Sequence, residues 1–288
     1  MLETLISTPL LLYGGVFVLG ALIGSFVNVV ILRLPPLLEY DWRCQCHDLL
    51  QNESEPGERP LGIAVSRSMC PHCGHGITAL ENIPVLSFLV LRGRCSACGE
   101  RISLRYPLVE LTTALLFLAT LWHFGPTAQG LLALPLTAVL VALTGIDADT
   151  QLLPDNMTLP LLWAGILVNY FGVYTDLGSS VLGAIAGYLI LWSIYHLFRL
   201  MTGKEGMGYG DFKLLAAMGA WMGWQFLPLI VLLSSVVGAV VGLVLMGTGR
   251  LNRDKPMPFG PFIAAAGWIA LIWGERIMAY YTRSSGFG

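Results

Sequence analysis

The chain of 288 residues is 55% hydrophobic and only 12% charged, with a mean hydropathy of +0.70. Soluble domains carry roughly 25% charged residues, so a soluble globular protein is excluded and a polytopic membrane protein is indicated. The formal net charge of −2 offers no overall basic surface, and no nucleic-acid partner is expected.

Apolar runs of the length needed to cross a bilayer, about 20 residues each, recur along most of the chain. They predict an all-α polytopic integral membrane protein with about eight transmembrane helices. The candidate spans are residues 10–32, 107–123, 128–146, 157–173, 180–200, 212–224, 226–247 and 259–281. The first run has no basic region before it and no small-residue cleavage site after it, so it reads as a retained helix and not a signal peptide. The sixth is short, and Gly223 beside the neighbouring tryptophans marks its expected end. Three regions follow: residues 1–32, a first transmembrane helix; 33–106, a polar segment; and 107–288, a seven-helix membrane core.

The polar segment holds Cys70-Pro-His-Cys73 and Cys95-Ser-Ala-Cys98, two C-x-x-C units separated by 21 residues and each followed by glycine, Gly74 and Gly99. Four thiolates in that spacing suit a tetrahedral zinc site closed by two tight knuckles. A pair of disulfides is the competing reading. His72 and His75 are possible substitute ligands, while Cys44 and Cys46 fall outside the pattern as spare thiols. The stretch Gln51–Glu58 reads as a surface loop.

Lysine and arginine set the expected orientation. The connections at 33–106, 147–156, 199–213 and 249–256 carry 14 of the 16 basic residues, leaving Arg276 and Arg283 for the other side. The positive-inside rule therefore puts the cysteine segment in the cytoplasm, where metal is favoured over disulfides, and both termini outside.

Two acidic groups then fall at the same cytoplasmic rim. Ile146-Asp147-Ala148-Asp149 with Leu153-Pro154-Asp155 closes the third span, and Gly206-Met-Gly208-Tyr-Gly210-Asp211 opens the sixth. Two carboxylates sharing one proton can hydrolyse a peptide: one takes a proton from water while the other donates to the carbonyl oxygen. The glycines would let an extended backbone approach Asp211. Simpler readings exist as well. Asp211 and Asp155 can each cap the helix that follows, and Asp149 can be a solvated loop residue. A transporter or channel with rim carboxylates and a zinc regulatory segment fits the same features. The G-x-G-x-G pattern does not follow a strand and is not a nucleotide loop. No G-x-S-x-G or H-E-x-x-H motif occurs.

Taken in order, these motifs resemble those of the bifunctional type IV prepilin peptidases. The resemblance also rests on Gly24-Ser25-Phe26-Val27-Asn28 with Arg33-Leu34-Pro35, Glu81-Asn82-Ile83-Pro84, and Arg105-Tyr106-Pro107-Leu108-Val109-Glu110. It implies cleavage of the basic leader of type IV prepilins and type II secretion pseudopilins at the cytoplasmic face of a bacterial inner membrane. It further implies N-methylation of the new N-terminus with S-adenosylmethionine. The family pattern selects Asp147 and Asp211 as the catalytic pair. Methyl transfer is associated with the cysteine segment, where Gly93, Arg94, Glu81 and Asn82 are candidate cofactor-binding residues. A purely structural role in folding that segment is the alternative for these four.

Overall fold

A computed structural model of the chain describes residues 9–50, 57–64, 68–248 and 257–284. The helices are α1 (Pro9–Leu50), α2 (Leu86–Val90), α3 (Arg105–Phe124), α4 (Ala128–Thr150), α5 (Asp155–Tyr170), α6 (Leu177–Thr202), α7 (Tyr209–Met222), α8 (Leu227–Gly247) and α9 (Gly260–Ser284), with a 3-10 turn at Trp224–Phe226 before α8. Among the described residues there is no strand, only isolated bridges at Met69–Gly76 and Arg94–Arg101. The loop acids Glu53 and Glu55 and the basic residues Arg250, Arg253 and Lys255 lie outside the described residues.

Among the described residues, six segments are long and apolar enough to cross a membrane: α1, α3, α4, α6, the 3-10 turn with α8, and α9. Helices α5 and α7 are shorter, 16 and 14 residues. Exposed rows such as Leu182, Ile185 and Leu189 on α6, or Val236, Val240 and Leu243 on α8, would be an aggregation hazard in water and are the expected lipid face in a bilayer. The protein is a multi-pass membrane protein.

The chain divides into two compact units, Met1–Ala142 and Leu143–Gly288. In the first, α1 packs on α3 through buried Val27 and Ile31 of α1 and Ala114, Phe117 and Leu121 of α3. The first span was expected to end near residue 32, but α1 has 42 residues and continues through Pro35 and Pro36 to Leu50. At a rise of 1.5 Å per residue it is about 63 Å long, twice the hydrocarbon thickness of a bilayer. The start of the polar segment is therefore helical, and Cys44 and Cys46 ride on that extension.

The second unit is organised around α7, which packs against α5, α6 and α9 and buries every residue from Asp211 to Met222 except Lys213. Gly183 of α6 and Gly219 of α7 face each other so closely that a side chain on either would strike the other's backbone. A helix end buried this deeply needs partners for its last carbonyls. Asn169 supplies them, donating to Ala220 O at 2.8 Å and Trp221 O at 2.9 Å, while Ser180 donates to Ala220 O at 2.6 Å. The helix stops where expected, at Gly223, whose φ of 87° is left-handed.

Candidate functional site

Asp147 lies in the last turn of α4 and is 4% exposed. The chain leaves that helix at Gln151, a non-glycine residue with φ of 55°, whose amide donates to Asp147 O at 2.9 Å. The Asp147 carboxylate itself is held from a distant part of the sequence: its Oδ2 accepts from the backbone amide of Gly260, the first residue of α9, at 2.9 Å.

Asp211 lies in the first turn of α7 and is 5% exposed. Capping had been one reading of this residue, but the N-cap is Gly208. Asp211 stands three positions further on and reaches back, its Oδ2 accepting from the Gly208 amide at 3.2 Å, which serves one of the orphan donors of the helix start. Its Oδ1 is enclosed and, among the described residues, has no hydrogen-bond partner. The two carboxylates lie within electrostatic reach of each other. Leu153 packs against the starts of both α7 and α9, since a methyl group at Gly210 would stand 2.6 Å from Leu153 Cβ and one at Gly260 would stand 3.0 Å from its Cδ1. Small residues at 210 and 260 thus let the starts of α7 and α9 close around Leu153.

The other rim acids are different. Asp149 is exposed. Asp155 was expected to cap α5, but Pro154 is the N-cap, and the Asp155 carboxylate accepts from Lys213 Nζ at 2.6 Å. This bridge ties the start of α5 to the helix bearing Asp211.

The four predicted cysteines converge. Their sulfurs all lie within 4.8 Å of one another, with Cys70 Sγ and Cys98 Sγ 3.9 Å apart. A zinc ion with Zn–S bonds of about 2.3 Å holds its sulfurs roughly 3.8 Å apart, so the cluster fits one. Two matching knuckles build it. The Gly74 amide donates to Cys70 O at 2.9 Å and the Gly99 amide to Cys95 O at 3.0 Å, and both glycines have φ of 71°. The amides of Cys73 and His72 lower the Cys70 thiol to about 7, and those of Cys98 and Ala97 lower Cys95. Such donors favour the thiolate that binds metal. Neither His72 nor His75 belongs to the cluster.

A cavity of about 790 Å³ lies against the knuckles within the first unit, inside the size range of small-molecule sites. Glu81 and Asn82 line it, whereas Gly93 and Arg94 do not. Glu81 is fully engaged. It accepts from the Thr78 amide at 2.9 Å and hydroxyl at 2.8 Å, and from the Ser96 hydroxyl. These bonds, the one from Ser96 above all, hold its carboxyl down at about 2. Glu81 therefore staples the two knuckles together. Gly93 has φ of 67° and packs on Phe88, a turn that shapes the segment. Three residues of the site escaped sequence reasoning as site residues. Gly260 donates to Asp147, Leu153 packs against Gly260, and Glu110 lines the cavity. The only signal for Glu110 was its place in the Arg105–Glu110 motif.

The model of the Bacterial Peptidase A24 N-terminal domain matches residues 18–124, and that of the Type IV leader peptidase family matches residues 134–243. The chain is 55% identical to a protein of Aeromonas hydrophila named Prepilin leader peptidase/N-methyltransferase, over 98% of this chain and 97% of that one. Proteins of the same name from Stutzerimonas stutzeri and Pseudomonas aeruginosa are 53% and 50% identical, over 97% and 100% of this chain and 96% and 99% of theirs. No solved structure matches. At such identity over nearly the whole length, the chain belongs to the type IV leader peptidase family.

Proposed function

We propose that this chain removes the leader of type IV prepilins and type II secretion pseudopilins, with Asp147 and Asp211 as the catalytic pair, and then N-methylates the new N-terminus. The single observation that carries the hydrolytic half is the pairing of two buried carboxylates in one unit, each oriented by a backbone amide. Buried acids in a membrane protein are costly without a use. One carboxylate, ionised, would take a proton from water as that water attacks the scissile carbonyl. The other would donate its proton to the carbonyl oxygen. As the tetrahedral intermediate collapses, the first would pass the proton taken from water to the leaving amine, and the second would recover its proton from the hydroxyl that becomes the new carboxyl carbonyl. Gly206 and Gly208 precede α7 as non-helical chain, open to an extended substrate backbone.

Zinc would be held by Cys70, Cys73, Cys95 and Cys98 and would fold the segment as a structural ion. S-adenosylmethionine would supply an electrophilic methyl group. The cavity beside the knuckles suits it in size, and Asn82, which lines it, would offer it a polar contact. The basic connections favour a cytoplasmic face for both sites, with the termini outside, in a bacterial inner membrane. Membership of a peptidase family disfavours the transporter reading. The test is incubation of the detergent-purified protein with a candidate prepilin, with mass spectrometry resolving leader loss from methylation. Failure to shorten the prepilin without any ion gradient would overturn the reading.

A further inference from the structure

We propose that Glu110 and Asn28 form the docking point for a primary ammonium group on the α1–α3 wall of the cavity, and that the ammonium is the free N-terminus of the processed pilin. The inference rests on the methyl-transfer reading above and names the residues that receive its acceptor.

The geometry begins with Gly24. A methyl group there would stand 2.7 Å from Glu110 Cα, so α1 and α3 meet backbone to backbone at this level. One turn along α1, Asn28 Nδ2 donates to Gly24 O at 3.3 Å and to Tyr106 O at 3.1 Å. Both partners are carbonyls, which fixes the orientation of the amide and leaves its Oδ1 enclosed without a donor. Asn28 is 3% exposed and Glu110 8% exposed. Glu110 Oε2 accepts from the Val85 amide at 2.7 Å, and Ser25 also hydrogen-bonds its carboxylate. Val85 is a β-branched residue with φ of 61°, a conformation that persists only where the surroundings impose it. Among the described residues, no lysine or arginine pairs with Glu110.

Asn28 and Glu110 both line the cavity, and neither has a positively charged partner among the described residues. One is a buried acceptor without a donor, the other a buried carboxylate without a cation. Each is unfavourable alone, and an ammonium group with its three N–H donors satisfies both. Glu81, the carboxylate on the knuckle side, accepts three hydrogen bonds and has His75 Nε2 3.5 Å away, and is more fully engaged than Glu110.

Two sources of such a group exist in the reaction, the peptide N-terminus and the α-ammonium of S-adenosylmethionine. The peptide is favoured because Glu110 and Asn28 sit on two long apolar helices, the side from which an apolar pilin segment would enter. An ammonium cannot be methylated until it loses a proton. In an apolar enclosure a carboxylate and an ammonium are less costly as a neutral pair, so Glu110 takes one proton. The freed nitrogen lone pair then forms the N–C bond as the methyl–sulfur bond breaks, its electron pair staying on sulfur. The product leaves as a methylated ammonium, and Glu110 returns its proton to water.

The test uses the full chain purified in detergent, without methyl donor. The probes are a peptide beginning with a free Phe and continuing with an apolar pilin-like stretch, and the same peptide N-acetylated. Wild-type protein should bind the free-amine peptide at least about tenfold more tightly. Glu110→Gln, whose amide oxygen can still accept from Val85, should abolish that preference while zinc content, leader cleavage and S-adenosylmethionine binding stay unchanged. Equal binding of the two peptides by wild-type protein overturns the proposal, and this arm needs no variant. So does a Glu110→Gln protein that keeps the preference, or one that loses S-adenosylmethionine binding instead. Cleavage and methylation of a prepilin by wild-type protein, run alongside, separate these outcomes from failure of the functional reading itself.

Discussion

The amide of Gly260 donates to Asp147 Oδ2 at 2.9 Å, and a methyl group on Gly260 would stand 2.7 Å from that same oxygen. The donor orients the carboxylate at a distance that leaves no room for any side chain on the residue supplying it. Leu153 closes the other side, 3.0 and 3.1 Å from the same methyl position. Asp147 is therefore held by a contact between residues 113 positions apart, and the glycine is required for packing and for the hydrogen bond together.

Gly260→Ala should displace the Asp147 carboxylate without removing it. Misplacement of a reacting group by about 1 Å can cost on the order of 10²-fold in rate. Leader cleavage should fall by about that factor, while zinc content, which depends on the other unit, stays at the wild-type level. Wild-type turnover in a folded Gly260→Ala protein would show that this contact does not set the position of Asp147.

Asp147→Asn and Asp211→Asn should each reduce cleavage by about 10²- to 10⁴-fold, the usual contribution of general acid–base catalysis, because an amide can neither share nor accept the proton. Asp149→Asn and Asp155→Asn should be much milder. Asp149 is exposed, and the Asp155–Lys213 bridge is half exposed, with 58% of the Asp155 side chain accessible, so its loss should cost no more than about 1 kcal/mol. Single-turnover cleavage of one prepilin by all four variants ranks them. Near-normal turnover in either of the first two removes that residue from the pair.

The membrane helices were legible because a span must be apolar over about 20 residues, a signal that survives without knowledge of the partners. The cysteine cluster was legible because its two loops are local, each closed by its own glycine. The candidacy of Asp211 came from the glycines before it. The far end of α1 was not, since Pro35 and Pro36 read as a break and residues 33–50 carry no membrane signal. Gly260 and Glu110 were hidden for another reason. Phe259-Gly260-Pro261 looks like an ordinary loop end, and Glu110 looks like one more polar residue at the start of a span. Their meaning comes from partners brought to them by the fold, Asp147 for one and Ser25 and Val85 for the other.

Metal analysis of the purified protein should find about one zinc per chain, with sulfur ligands near 2.3 Å by X-ray absorption. A Cys70→Ser/Cys95→Ser variant removes one ligand from each knuckle and should lose the ion. Retention of zinc with the same sulfur coordination in that variant would overturn the assignment of these four ligands.

Asn169→Ala should destabilise the second unit. The side chain donates to two carbonyls at the end of α7 and accepts from the amides of Tyr174 and Thr175 at 3.0 and 3.1 Å. Truncation leaves these groups without their partner in a buried place, at a cost of about 2–4 kcal/mol. Thermal unfolding in detergent should show a lower midpoint for the variant. An unchanged midpoint would mean that water or another side chain replaces the amide.

Cleavage and methylation should be separable, because the groups suited to each lie in different compact units. The second unit holds Asp147 and Asp211, and the first holds the four cysteines and the cavity. Hydrolysis needs a shared proton between two acids. Methyl transfer needs a bound methyl donor and a neutral amine, neither of which the acid pair provides. Asp211→Asn should therefore methylate a mature pilin whose N-terminal Phe is already free, at a rate within about threefold of wild type, while failing to cleave the precursor. The Cys70→Ser/Cys95→Ser variant should lose methylation at least as strongly as cleavage, because Cys70 and Cys95 line the cavity and their knuckles shape its wall. Mass spectrometry of pre-cleaved pilin incubated with S-adenosylmethionine and each variant reads both results. If a well-folded Asp211→Asn protein adds no methyl group, the two reactions share a site, and the division of labour between the units is wrong.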